Sequence, residues 1–369
     1  VDTYNTAFGF FAGTNVTTGT ENTLIGGIAG DALTDADGNT SVGYSSLTSD
    51  TLGSKSTAIG RSALATQNFT TATDSHNTAV GYQAGVAVTT GIQNTLLGSL
   101  AGDSLTDADF NVAIGHDALS TDTLGSRSTA IGLNALKTQN FTTATNAYNT
   151  AVGFSAGAAV TTGLNNTFVG GLAGDATDDG DNNVALGYAA LSGNCGDNNT
   201  AVGAGAMASA TGSDNTVMGR SAGLALTAGI KNTALGAYAL DKENSGSFST
   251  AIGYQALTNQ VIPNGSVQNT AVGYNAAVSI STGISNTIIG AAAGDALTDS
   301  DYNVALGKSA LSSDTLGSKS TAIGFQALNV QNFTTATNTY NTAVGYNAGV
   351  STTTGRNNTL IGSGAGDAI

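Results

Sequence analysis

The sequence predicts an all-β chain wound as a parallel β-solenoid, and three observations carry that prediction. First, one motif, here Asn77-Thr78-Ala79-Val80-Gly81-Tyr82-Gln83-Ala84-Gly85, recurs in 21 variants anchored on glycines from Gly9 to Gly362. Second, alternation inside the motif has a period of two, the period of a strand, and β-branched residues dominate it. Third, no copy carries an apolar stripe at helical spacing. Copies of 16 to 21 residues are also too short to bury a core alone, so neighbours must stack.

Taken in order, the motif glycines Gly9, Gly26, Gly43, Gly60 and Gly81 are separated by 17, 17, 17 and 21 residues, a super-repeat of 72. Residues 1–186 keep this order. Residues 187–272 are looser, with steps of 16, 17 and 20, and residues 273–369 restore the regular pattern. The whole of 1–369 is expected to form one continuous rod. At about 4.8 Å per coil its length would be roughly 100 Å. Each 21-residue step carries an insert, Gln67 to Thr73, Gln139 to Thr145 and Gln331 to Thr337, expected to protrude once per four coils.

Within each copy the column before the glycine is always apolar, and three before it stands Thr in 18 copies and Val in three. Four before it is Asn in 17 copies and Ser in four, a pattern suited to a hydrogen-bonded Asn ladder between coils. Three after it is Ala in every copy but Ser46. We expect Thr78 and Val80 on one face of the strand, and Asn77, Ala79 and Gly81 on the other. The Thr column is expected to face inward, and the column of Ala79 to point away from the coil's own core. That second column holds six large apolar residues, Leu24, Leu96, Phe168, Val217, Ile288 and Leu360. A strand apolar on both faces is buried on both, so these six are expected to pack between chains.

Composition limits the function. The chain has 51 Gly, one Pro, no Trp and 9% charged residues, yet 40% hydrophobic ones, which suits thin, closely packed coils. A net charge of −15 excludes a basic, phosphate-neutralising surface, so nucleic acid is not an expected partner. No run of 18 apolar residues predicts a membrane-spanning helix. Cys195 is the single cysteine, so no intrachain disulfide is possible.

Candidates for chemistry are few. Asp35 and Asp37, repeated as Asp107 and Asp109 and as Asp299 and Asp301, bring carboxylates close together in the manner of a calcium loop. No other cofactor is expected. Phe69, Phe141 and Phe333 head the inserted loops and are candidate surface contacts for a glycan or cell-surface protein. His76 and His116 lie in different columns, and no nucleophile stands at a compatible spacing, so no enzyme is expected. Thr ladders on a flat solenoid face also suggest ice binding, a reading disfavoured here because the Thr column is expected to face inward.

The motif Asn-Thr-Ala-Val-Gly-x-x-Ala, with Asn111-Val112-Ala113-Ile114-Gly115-His116-Asp117-Ala118 as its nearest copy, resembles the head repeat of YadA-type trimeric autotransporter adhesins. It is similar as well to repeats in phage and giant-virus tail-fibre proteins. The resemblance covers all 21 copies, although the repeat here is longer. It implies a left-handed β-roll and three chains per rod. It also implies an extracellular fibre or adhesin at a cell or virion surface.

Overall fold

The structure is a computed structural model that describes residues 3–263 and 265–367. The chain groups into two compact units, Val1–Asn183 and Val184–Ile369. Both are all-β, and no helix occurs among the described residues. The first unit stacks ten three-residue strands, from Thr6–Phe8 to Thr167–Val169, and the second stacks eleven, from Val184–Leu186 to Thr359–Ile361. Within each unit these strands pair in parallel with the equivalent strand of the neighbouring coil, without slippage, as in Thr78↔Thr95, Ala79↔Leu96 and Val80↔Leu97. Each unit is therefore a parallel β-solenoid of about 17 residues per turn.

The backbone ladder continues beyond the strands. Thr78 N–H donates to the Asn94 carbonyl at 2.8 Å, and Gly98 N–H to the Val80 carbonyl at 2.8 Å. Gly81 sits at φ +145°, a region that Cβ-bearing residues rarely enter, and a Cβ there would fall on the carbonyl oxygen of Gly98. These two demands, a backbone bend and room for the coil above, account for an invariant glycine column.

The expected period of two is present, but the faces are reversed. Asn77 and Ala79 are buried, whereas Thr78 and Val80 are half-exposed. The inner face of each strand presents mainly Asn and Ala, and fully buried leucines such as Leu33, Leu47 and Leu64 from the turns fill the rest of the interior. Asn77 shows how the inner polar atoms are satisfied. Its Oδ1 accepts the Asn94 backbone N–H at 2.9 Å, and its Nδ2 donates to the Gly91 carbonyl at 2.7 Å. Repeated from coil to coil, this ladder leaves few buried polar groups without partners, as a stable interior requires.

Candidate functional surface

The six large residues of the Ala79 column are a correction to the sequence reading. Leu24, Leu96, Phe168, Val217 and Ile288 are at most 1% exposed inside the single chain, and Leu360 in the last coil is half-buried. They cannot pack between chains, because their own coils already enclose them. Space for them comes from glycines four residues after the motif glycine. A Cβ on Gly85 would lie 2.6 Å from Leu96 Cδ1, and one on Gly102 would lie 2.8 Å from Leu96 Cδ2. The Gly, Gly, Leu, Leu order of that column and the large residue every fourth coil are thus two halves of one volume-filling device.

The loop phenylalanines move in the same direction. Phe69, Phe141 and Phe333 are only 6–7% exposed, so they anchor the inserts and are not surface contacts. What each insert exposes is Thr70-Thr71-Ala72, Thr142-Thr143-Ala144 or Thr334-Thr335-Ala336. A short parallel pairing, Gly53 with Thr73 and Ser54 with Asp74, holds the first insert against the coil before it. Lys55 Nζ lies 2.5 Å from Asp74 Oδ2 and holds that carboxyl below its ordinary pKa, chiefly through their hydrogen bond.

The acidic candidates are spent on coil-to-coil hydrogen bonds. Asp35 accepts from Thr18 Oγ1 at 2.5 Å, Asp107 from Thr90 Oγ1 at 2.7 Å and Asp299 from Thr282 Oγ1 at 2.7 Å. Asp37 accepts the Thr20 N–H at 2.7 Å, and Asp109 and Asp301 accept the N–H groups of Ile92 and Ile284 at 2.8 Å. The Asp35 and Asp107 pairs lie four coils, about 19 Å, apart. Among the described residues, no three His, Cys, Asp or Glu side chains are grouped to hold a metal ion.

Sequence reasoning missed the most elaborate polar cluster. Where the Asn ladder is interrupted by Ser56, Gln67 from the insert takes the missing place. Its Nε2 donates to Ser56 Oγ at 3.0 Å and to Asp50 Oδ2 at 2.6 Å, while its Oε1 accepts from Asn77 Nδ2 at 2.9 Å. Asp50 Oδ1 also accepts the N–H groups of Gly53 and Phe69. The cluster recurs around Gln139 and Gln331, and in altered form around Gln260 with Glu243 as the acid. A signal was present: all four Ser substitutions in the Asn column, Ser56, Ser128, Ser249 and Ser320, fall in the coils that carry the glutamines, and each Ser accepts a hydrogen bond from its Gln.

The remaining candidate is the outward face of the main strands. Its two columns, Thr or Val followed two residues later by Val, Ile, Leu, Met or Phe, are half-exposed or exposed in every coil. The columns contain no charged residue. Among the described residues, none of the threonine hydroxyls in this face hydrogen-bonds to the protein. One rim, directly after the motif glycine, carries exposed aromatics including Tyr44, Tyr82, Phe154, Tyr188, Tyr274 and Tyr346. Neighbouring rings stack along it, Tyr254 with Tyr274 at 5.7 Å and Phe325 with Tyr346 at 5.3 Å. Chemically this is an uncharged, amphiphilic strip suited to contact and not to bond-making.

No family model and no curated protein matches the chain.

Proposed function

We propose that the chain is a structural shaft, a stiff spacer within an extracellular fibre or filament at a cell or virion surface, with no catalytic role. One observation carries this reading. In each unit every coil is joined to the next by in-register backbone ladders and by buried Asn or Gln side chains, so bending or opening one coil breaks bonds to its neighbours. Quasi-one-dimensional stacking of this kind makes stiffness and protease resistance the natural output. The acidic side chains serve the same end, bonding one coil to the next.

The exposed Thr-Thr-Ala tips, set on rigid coils, support an added adhesive role toward a glycan or a cell-surface protein. One preparation tests both parts. Electron microscopy with limited proteolysis should show elongated particles that resist cleavage for hours, and a compact, quickly digested particle would end the shaft reading. Glycan-array or cell binding should vanish when the three tips are shortened. Equal binding by the shortened chain would remove the adhesive role and leave the shaft.

A further inference from the structure

The outward strip permits one step beyond the shaft reading, on which it rests. We infer that this strip is where a second copy of the same chain docks, side by side, to build the fibre. Three observations favour that occupant.

The strip is a continuous, uncharged and largely apolar surface of each unit. It exposes Ile25, Ile59 and Leu97 in the first, and Leu186, Met218, Leu235 and Leu306 in the second, where a monomeric protein normally avoids apolar rows of this length. Charge points the same way. The chain carries a net −15, yet neither column holds a charged residue, so two identical, strongly acidic chains can approach along this strip with the least repulsion.

Area is also sufficient. With coils about 4.8 Å apart and a three-residue width of about 10 Å, each unit offers roughly 500 Å² before its aromatic rim is added. With that rim, which adds roughly half as much again, the strip of one unit approaches the roughly 800 Å² per partner of a stable interface. A crystalline water surface is the competing occupant, since the free threonine hydroxyls form a ladder. The second column argues against it: Leu, Met and Phe stand among Val and Ile there, so its height varies from coil to coil.

Light scattering on the full chain at micromolar concentration should give a whole multiple of the chain mass. Val80→Lys with Ile131→Lys should reduce it to one chain mass without changing the far-ultraviolet spectrum. Lysines at the loop tips, Thr70→Lys with Thr142→Lys, should leave the assembly intact. A single-chain mass for the unaltered protein would overturn the proposal, as would an assembly that survives the strip lysines.

If the lysine variants fail to fold, maleimide labelling keeps the question open. In a Cys195→Ser background, Ile131→Cys and Ile323→Cys should react at least tenfold more slowly than Thr142→Cys at high concentration, and equally fast after dilution. Equal rates throughout would refute docking, and so would thermal hysteresis from a single-chain species. A monomer that remains a protease-resistant rod would end this inference and spare the shaft, whereas a compact particle would end both.

Discussion

Phe168 and Val169 are neighbours on one three-residue strand, yet they belong to different regions of the molecule. Phe168 is fully enclosed and touches the positions of Gly157 and Gly174, while Val169 stands half-exposed on the outer strip. The difference teaches how a narrow solenoid is read. In a broad sheet the β-branched row marks the core. Here the small row of the strand marks it, because leucines from the turns already fill much of the interior, and a large strand residue such as Phe168 fits where glycines of that turn column make room. Hydrophobic residues are common on protein surfaces, so an apolar column alone does not identify the inside.

The largest expected effect breaks this comparison at its centre. Phe168→Ala should cost about 3–5 kcal/mol, as expected for a large buried ring whose cavity cannot collapse. Thr167→Ala, on the outer face of the same strand, should shift stability by no more than about 0.5 kcal/mol. Guanidinium midpoints of the two variants, at a concentration where chains are separate, check the assignment. Equal losses would mean that the two faces are not distinct.

A smaller effect sharpens the comparison inside the coil, between an ordinary ladder position and a repaired one. Gln67→Ala should cost about 2–3 kcal/mol, because it leaves Asp50, Ser56 and Asn77 short of buried hydrogen bonds. Adding Ser56→Asn restores the usual ladder residue and should recover part of that loss, which a double-mutant cycle would measure. No recovery would mean that Gln67 does not stand in for the missing Asn.

That repair also marks the limit of legibility. The solenoid, its coil length and its parallel register were legible because glycine spacing and a period of two are local properties of the chain. Which face is inner was not, since Thr78-Ala79-Val80 alternates equally well either way round. The choice is made by volume in neighbouring coils, such as Gly85 and Gly102 around Leu96. Phe69 misled for the same reason: an aromatic in a polar insert looks exposed until the Gly53 gap beneath it is known. The outer strip was therefore assigned to the wrong column, one residue away.

The smallest effect concerns carboxylates at the edge between inside and outside. Asp31 and Asp103 occupy the same column, but Asp31 accepts from Thr48 Oγ1 at 2.5 Å whereas Asp103 Oδ1 has no hydrogen-bond partner. Burial pushes the Asp103 pKa up, with the nearby Asp117 adding to the rise, and Asp175 and Asp295 are raised by burial as well. A carboxyl raised above its unfolded value binds protons more tightly in the folded chain. Between the unfolded value, about 3.9, and the raised one, stability therefore falls as pH rises, and the penalty persists at neutral pH. Asp103→Asn should raise the melting temperature at pH 7 and leave it unchanged well below pH 4. Melting curves across pH 3 to 8 that show a loss at neutral pH for Asp103→Asn would reverse the sign and make this acid a stabilising member of the coil edge.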